Sequence, residues 1–352
     1  MKSIKAATYF VHFEENGYLE LNKLIASKPY SSIFILVDEN THECCYGKFI
    51  PKLTAHCPIE IIEIESGEIN KNLETCAGVW NVLTELNADR KSLFITLGGG
   101  VITDLGGFVA ATFKRGIDFV NIPTTLLSMV DASVGGKTGV DLGVLKNQIG
   151  LFVNPEMVLV DFNYLETVTP REIRSGTAEI IKYGLTYDVS LYKRIKNSGN
   201  LDITDLIHRS IEIKNEVVLE DPKEQYLRKI LNFGHTIGHA IESYFLETPT
   251  KKNLTHGEAI AIGMVAECFI SSELLGFPKK ELESIKKLVV NIYGKVEILE
   301  EDLNGVLEYL KHDKKNVGGQ VNFVLLVDLE QTKIDCKVST ELIIDSIKFY
   351  SA

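Results

Sequence analysis

The sequence predicts an α/β fold in which a doubly wound parallel-sheet domain, residues 1–165, precedes an all-helical domain, residues 166–352. In the first half, short β-branched runs alternate with stretches of helical length and spacing, which is typical of parallel strands joined by helices. After about residue 165, long amphipathic patterns replace these runs. The 352 residues also exceed what one hydrophobic core usually serves. Pattern and length together therefore indicate two domains.

The first domain is expected to contain a buried sheet, because its β-branched runs are apolar on both faces. The predicted strands are residues 32–40, 59–66, 92–100, 119–125 and 156–161. Helices of the same domain are predicted at residues 70–90 and 101–115.

The second domain is predicted to be built from amphipathic helices. Their patterns cover residues 170–197, 202–220, 229–246, 256–275, 279–293 and 300–312. One late exception, QVNFVLLVDLE at residues 320–330, follows the turn signal NVGG and predicts a strand or hairpin.

Composition excludes several classes of protein. The net charge of −11 argues against a general nucleic-acid binder, which needs an excess of cations. No run of 18 apolar residues exists, and the first residues lack the layout of a secretory signal, so no membrane partner is expected. The six cysteines form no CxxC pair and are expected to be reduced. These features predict a cytoplasmic protein.

Two glycine-rich stretches are candidate ligand sites. LFITLGGGVITDLGGF, residues 93–108, places three glycines between a strand and a helix, where the backbone can approach a phosphate. It is not GxGxxG, and a plain tight turn is the alternative. DASVGGKTGVDLGVLKNQIG, residues 131–150, sets lysines among glycines on a predicted loop and suits a phosphate or carboxylate. A flexible surface loop is its alternative.

Three histidines indicate a metal or acid–base site. His235 and His239 are four residues apart, so on a helix they share one face. His256 begins the next predicted helix. A catalytic zinc usually takes three protein ligands from His, Asp and Glu. Spacing alone does not choose among these imidazoles and the nearby carboxylates, which are Glu179, Glu242 and Glu258.

Six motifs taken together resemble the 3-dehydroquinate synthase family, over residues 32–327. They are TLGGGVITDLGGFVAATFKRGI, IPTTLLSMVDASVGGKTGV, LKNQIG, AEIIKYG, LNFGHTIGH and HGEAIAIGM. The resemblance implies a nucleotide-binding α/β domain, a helical metal-binding domain and an active site in the cleft. It implies zinc or cobalt bound by Glu179, His235 and His256, with His239 on the substrate side.

The same resemblance implies roles for residues throughout the chain. The catalytic set it implies is Lys137, Lys182, Lys214, Arg228, Asn232 and His239. The substrate-binding set is Arg115, which would reach the site across a dimer interface, with Asp131, Lys146, Asn147 and Lys314. The NAD-binding set is Asp38, Glu68, Lys71, Gly99, Gly100, Asp104, Thr124, Thr125, Leu127, Lys137, Lys146, Thr167 and Glu172.

The implied reaction belongs to the shikimate pathway of aromatic amino-acid biosynthesis. The substrate would be a phosphorylated sugar acid, 3-deoxy-D-arabino-heptulosonate 7-phosphate, and the enzyme a homodimeric lyase. Transient oxidation by NAD, elimination of phosphate, reduction by the NADH just formed and intramolecular aldol closure would give 3-dehydroquinate. The lysines, Arg228 and His239 would orient the substrate or move its protons.

Three rival functions share parts of this pattern. A sugar-phosphate cyclase that makes an inosose or a valiolone would share NAD, metal and fold; Arg228 and Asn232 favour a carboxylate-bearing substrate instead. A metal-dependent polyol dehydrogenase would release NADH. An inactive NAD-binding protein would not need the metal and lysine positions. The chain also departs from the family: residues 143–145 read Gly-Val-Leu where Pro-Leu-Gly is usual, and Asp141 stands where Asn is frequent.

Overall fold

A computed structural model describes residues 1–143, 145–197, 202–310 and 321–352. The chain divides into two compact units, Met1–Ile173 and Arg174–Ala352, so the division lies later than residue 165. Segment 162–167 stays with the first unit because the hydroxyl of its Tyr164 lies 3.0 Å from that of Tyr18. Among the described helices, none is long and apolar enough to cross a membrane.

The first unit contains a seven-stranded sheet and a separate hairpin. Its strands are β1 (Ile4–Lys5), β2 (Phe10–Phe13), β3 (Ile33–Asp38), β4 (Ile59–Ile64), β5 (Leu93–Gly98), β6 (Asp118–Pro123), β7 (Lys137–Leu142), β8 (Leu145–Phe152) and β9 (Met157–Val160). The order in the sheet is β1-β2-β9-β6-β5-β3-β4. All neighbours are parallel except β1 and β2. The predicted α/β fold and all five predicted strands are confirmed.

Helices cover this sheet through an apolar core. They are α1 (Glu14–Ser27), α2 (Glu39–Thr41), α3 (Gly47–Phe49), α4 (Leu73–Glu85) and α5 (Gly100–Thr112). Val79 of α4 and Leu105 of α5 join Phe34 and Phe94 of the sheet in one buried cluster. Because residues i and i+2 of a strand share a face, this cluster defines one covered face of the sheet.

The stretch predicted to be a glycine-rich loop is instead an antiparallel hairpin of β7 and β8. Gly139 and Gly150 lie directly opposite each other. A Cβ atom on Gly139 would lie 2.5 Å from the Ile149 carbonyl oxygen. The glycines therefore permit close pairing of the two strands, and the expectation of a loop over these residues was wrong.

A buried polar network anchors the end of the sheet. The Asp161 carboxylate accepts hydrogen bonds from the Tyr18 hydroxyl at 2.7 Å and from the Asn163 backbone N–H at 3.1 Å. The Lys52 ammonium lies 3.3 Å away. Burial opposes ionisation of Asp161, but these donors and the ammonium outweigh it and lower its pKa below the ordinary value.

We expect Asp161→Asn to cost about 1–2 kcal/mol of unfolding free energy at pH 7, since a charged acceptor is lost. The folded-state pKa lies below the unfolded value, so the contribution of Asp161 is complete above about pH 4 and is lost as pH falls through the folded-state pKa. We therefore expect urea unfolding to give a difference in unfolding free energy, between the unaltered chain and Asp161→Asn, that is constant from pH 7 to 5. This difference should become smaller below pH 4. Exposed Glu166→Gln is the control, and a gap of the same size at every pH would contradict the assignment.

Within residues 174–197, 202–310 and 321–352, the second unit is helical apart from one antiparallel hairpin. Its helices are α6 (Pro170–Thr186, whose first turn belongs to the first unit), α7 (Val189–Asn197), α8 (Ile203–Glu220), α9 (His235–Glu247), α10 (His256–Leu275), α11 (Lys279–Tyr293), α12 (Asp302–Leu310) and α13 (Thr340–Ser351). The hairpin pairs β10 (Phe323–Asp328) with β11 (Gln331–Cys336). The predicted helical domain and its late strand are confirmed, and α13 is a further helix.

Candidate functional site

The candidate nucleotide site lies at the carboxyl edge of the sheet in the first unit. Asp38 ends β3, Gly99 and Gly100 follow β5, and Thr124 follows β6. These parallel strands are neighbours in register, with Gly98 opposite Pro123, so their ends share one edge. After β3 the chain continues to β4 on one side of the sheet, and after β5 it continues to β6 on the other side. Sheets of this kind bind nucleotides at such a change of direction.

The start of α5 supplies the donors that a phosphate needs. Its N-cap residue, Gly99, makes no side-chain capping bond. A Cβ atom on Gly99 would lie 3.2 Å from the Thr125 methyl group, so the backbone runs close to the next strand end. The first-turn N–H groups of a helix attract anions. This glycine turn therefore fits the pyrophosphate of a dinucleotide.

Five residues of the predicted NAD and substrate sets form one ionic cluster. The buried Lys71 ammonium lies 2.6 Å from an Asp104 carboxylate oxygen and 2.7 Å from the Asn147 side-chain oxygen. The Lys146 ammonium lies 2.8 Å from Glu68. Burial opposes the charge on Lys71, but Asp104 and Glu68 outweigh it and raise its pKa above the ordinary value. The structure therefore brings these residues together.

Asp141 is a member of this cluster that the residue pattern singled out only as a departure from the family. Its carboxylate accepts the Asn147 backbone N–H at 2.6 Å and lies 3.7 Å from the Lys146 ammonium. Asn147 has a φ of +52°, a left-handed conformation that this bond holds. Burial raises the pKa of Asp141 to about 6, although Lys71 and Lys146 oppose the shift.

Other predicted residues of the first unit lie on separate elements. Asp131 belongs to a helical turn, Ser128–Ala132, that follows Leu127, and Lys137 begins β7. The Thr125 hydroxyl accepts a hydrogen bond from the Ser128 backbone N–H and lies 3.0 Å from the Ser128 hydroxyl, at the start of that turn. Exposed Arg115 ends the turn after α5. Thr167 ends the helical turn Phe162–Thr167, and Glu172 lies in the first turn of α6.

A buried carboxylate is the main feature of the candidate metal centre in the second unit. Glu179 of α6 is fully buried, and the Lys182 ammonium contacts its Oε2 atom. The Nε2 atoms of His235 and His256 face the other oxygen, Oε1, at 3.4 and 3.6 Å. Apart from the pair with Lys182, neither oxygen has a hydrogen-bond partner among the described residues. One oxygen and two nitrogens therefore converge where a cation fits, and this donor set suits catalytic zinc.

The two imidazoles are each held by a contact at Nδ1, and their Nε2 atoms face Glu179. Nδ1 of His235 lies 3.1 Å from the Phe233 carbonyl oxygen, which only accepts hydrogen bonds. Nδ1 of His256 lies 3.2 Å from a Glu242 carboxylate oxygen. Both Nδ1 atoms therefore bear a hydrogen, so Nε2 is the atom that each ring can offer to a metal once it is free of a proton.

The ionisation of this centre follows from burial and from its own charges. Burial lowers the pKa of His235 to about 4, and the Lys182 ammonium adds to the effect. Burial opposes a charge on His256, but Glu242 and Glu179 raise its pKa to about 10. Burial would raise the pKa of Glu179, but Lys182 and His235 hold it well below the ordinary value. The carboxylate is therefore ionised and ready to act as a ligand.

Close helix crossings at glycines bring the three side chains together. A Cβ atom on Gly257 would lie 2.0 Å from the Ser175 carbonyl oxygen, so the start of α10 contacts α6 one turn before Glu179. A Cβ atom on Gly263 would lie 1.9 Å from the Gly234 carbonyl oxygen, directly before His235. Only glycine permits either approach. The glycines of GHTIGH and HGEAIAIGM thus set the distances between α6, α9 and α10.

The structure gives different contacts to the three carboxylates among which the sequence spacing could not choose a ligand. Glu242 orients His256, and Glu258 accepts the Thr255 backbone N–H in the capping box of α10. His239 also lies close, with its ring centroid 5.1 Å from that of His235. Its ligand nitrogen and those of His235 and His256 all lie within 4.8 Å of one another. His239 is thus a geometric alternative to Glu179, but Glu179 is fully buried and its Oε1 atom has no hydrogen-bond partner among the described residues.

The remaining predicted residues of this unit lie on α8 and on the turn Leu227–Asn232, which packs against it. Lys214 and Arg228 are buried, at 6% and 1% exposure. Asn232 donates to a Glu224 carboxylate oxygen at 2.5 Å. Lys314 lies outside the described residues.

Sequence reasoning missed Asp221, which shapes the loop that leads to Arg228. Its carboxylate accepts three backbone N–H groups, those of Gln225, Tyr226 and Arg228, at 2.8–3.0 Å. An acidic residue directly before a proline, as in EDPKEQ, gives only a weak turn signal, which is why the pattern did not reveal it.

Sequence comparison relates this chain to 3-dehydroquinate synthases. Family models of the N-terminal and C-terminal parts of 3-dehydroquinate synthase match residues 61–175 and 176–316. A 3-dehydroquinate synthase from Parabacteroides distasonis is 41% identical over 94% of each chain. One from Methylacidiphilum infernorum is 41% identical over 92% of this chain and 90% of its own. The family resemblance of the motifs is confirmed.

Solved structures with the same fold include members of the rival classes. A 2-deoxy-scyllo-inosose synthase, solved with carbaglucose-6-phosphate, NAD⁺ and Co²⁺, has a TM-score of 0.83 at 24% identity and covers 99% of both chains. A 2-epi-5-epi-valiolone synthase from Streptomyces hygroscopicus, solved with NAD⁺ and Zn²⁺, has a TM-score of 0.82 at 23% identity over 100% of this chain and 99% of its own. A probable glycerol dehydrogenase from Sinorhizobium meliloti reaches 0.61 at 14% identity, over 100% and 98%. Since similarity at this level reflects fold alone, the sequence relatives decide between these classes, and the chain belongs to the 3-dehydroquinate synthase family.

Proposed function

We propose that the chain converts 3-deoxy-D-arabino-heptulosonate 7-phosphate into 3-dehydroquinate and inorganic phosphate, as a phosphate-eliminating lyase. The observation that carries this proposal is the 41% identity to a 3-dehydroquinate synthase over 94% of each chain. Sequence identity to the inosose and valiolone synthases is 24% and 23%, and identity to the glycerol dehydrogenase is 14%. Those rival reactions therefore have weaker support.

The proposed cofactors are NAD and a divalent ion, zinc or cobalt. NAD would lie at the carboxyl edge of the first unit's sheet, on the glycine turn and the Lys71 cluster. Glu179, His235 and His256 would hold the ion. When bound, the ion supplies positive charge that eases deprotonation of a hydroxyl, and the nicotinamide accepts a hydride.

The chain's own cations would hold the substrate. The Lys182 ammonium contacts the Glu179 carboxylate beside the proposed centre. Lys214 and Arg228 are buried on adjacent elements. Buried cations bind carboxylate and phosphate groups more strongly than exposed ones, because water screens them less. A substrate that carries both groups suits this set.

A phosphate-release assay tests the proposed reaction. We expect release from the heptulosonate phosphate without net NADH, and its loss after treatment with a chelator. Release from glucose 6-phosphate instead would support an inosose-type cyclase. Net accumulation of NADH with a polyol would support the dehydrogenase. Either result would overturn the proposal.

We expect His239→Ala to retain the metal and to lower turnover by roughly 10²–10⁴-fold, the usual effect of losing a proton-transfer group. His235→Ala is the matched comparison one helical turn away, and it should lose the metal as well. Metal stoichiometry by elemental analysis and phosphate release by assay measure the two effects separately. Loss of the ion from His239→Ala would show that this imidazole is a ligand.

The homodimer is also a proposal, with Arg115 contacting substrate phosphate across the interface. Its support is the family resemblance of the motifs, with which the exposed position of Arg115 is consistent. Light scattering of Arg115→Ala and of the unaltered chain would show whether a dimer forms. Mixing Arg115→Ala with a second inactive variant, Lys182→Ala, should restore part of the activity if the sites are shared.

A further inference from the structure

Helix α9, which carries His235 and His239, begins without a local cap. Its N-cap residue is Gly234, which has a φ of +80° and no side chain to accept the first N–H groups. Helices usually satisfy these groups with Ser, Thr, Asp or Asn at this position. A glycine is required here because a Cβ atom would lie 2.5 Å from the Met264 side chain and 3.0 Å from its backbone nitrogen.

The cap comes from another helix. Glu267 of α10 has no exposed surface. Its Oε2 atom accepts the Gly234 N–H at 2.7 Å, and its Oε1 atom faces the Ile237 N–H at 3.3 Å. A carboxylate at a helix N-terminus is favoured by the helix dipole. Glu267 therefore replaces the missing local cap with a charged acceptor.

These two bonds hold the backbone on either side of His235. One anchored N–H lies directly before this histidine, and the other lies two residues after it. The Phe233 carbonyl, one residue further back, fixes its ring. His256 lies on the same helix as Glu267, so α10 carries one proposed ligand and positions the backbone of another.

We propose that Glu267 is a positioning residue of the metal centre, which fixes the distance between the imidazoles of His235 and His256 by capping α9 from α10. The inference rests on the metal centre proposed above. Removing this acceptor should let the first turn of α9 shift, and small displacements of ligands weaken metal binding about 10–100-fold.

Glu267→Gln tests the proposal, because the amide keeps the size and one acceptor but loses the charge and the second acceptor. Exposed Glu273→Gln, on the same helix, is the matched control. Co²⁺ titration of the full chain, followed by the visible absorption of the bound ion, measures affinity and coordination. Thermal unfolding with and without Co²⁺ measures stability.

We expect Glu267→Gln to bind Co²⁺ about 10–100-fold more weakly, with an altered spectrum, while Glu273→Gln matches the unaltered chain. A variant that unfolds at a lower temperature but keeps the affinity and spectrum would assign Glu267 to stability alone and overturn the proposal. The same holds if neither Glu267→Gln nor the charge-retaining Glu267→Asp folds. Failure of the unaltered chain to bind Co²⁺ would instead overturn the metal centre itself.

Discussion

Glu179→Gln is expected to abolish binding of the divalent ion and to lower turnover by roughly 10³-fold or more. The neutral amide is a poor ligand, and it leaves the fully buried Lys182 ammonium without its anionic partner. An unpaired buried charge of this kind costs about 3–5 kcal/mol of unfolding free energy. Elemental analysis, phosphate release and urea unfolding would measure the three effects.

Two further variants separate loss of the ligand from loss of the fold. Glu179→Gln combined with Lys182→Met removes both buried charges, so it should recover much of the stability while still lacking the ion. Glu258→Gln alters a carboxylate that caps α10, and it should keep the ion. A full complement of metal in Glu179→Gln would mean that the three imidazoles bind the ion without it.

Lys71→Met should weaken NAD binding at least tenfold and destabilise the first unit by about 3 kcal/mol. The ammonium is nearly fully buried, and its removal leaves the Asp104 carboxylate without its cation. Tryptophan or cofactor fluorescence during titration with NAD would report affinity, and urea unfolding would report stability. Lys91→Met, which alters an exposed lysine of the same unit, should change neither.

A double-mutant cycle refines this second prediction. Lys71→Met with Asp104→Asn should be more stable than Lys71→Met alone, because the unpaired carboxylate is gone. NAD binding should stay weak in the double variant, since the cation that we assign to the cofactor site is still missing. Full affinity in either variant would remove Lys71 from that site.

The fold was largely predictable wherever local pattern decides structure. Buried parallel strands are continuous apolar runs, and long helices show a clear period, so β3, β5, α10 and α11 were predicted within a few residues. Hairpin β7–β8 was not, because its pairing depends on glycines facing each other across strands, which spacing along the chain does not reveal.

The candidate site was predictable to a lesser degree. The spacing of His235 and His239 placed them on one helix face, but it did not choose the ligands. That choice depends on Glu179, which reaches the centre through contacts between helices far apart in sequence. The resemblance to a family supplied this set, and the buried carboxylate facing two Nε2 atoms now supports it.

The close contact of α9 and α10 at Gly263 also affects which ions the proposed metal centre can accept. Zinc binds imidazole nitrogen at about 2.0–2.1 Å, whereas calcium needs about 2.3–2.6 Å to its ligands and more of them. Gly263 already lies against the backbone beside His235, a distance between the helices that only glycine permits. This packing therefore lets the ligands of the proposed centre come as close together as zinc requires, in addition to the preference of nitrogen ligands for transition metals.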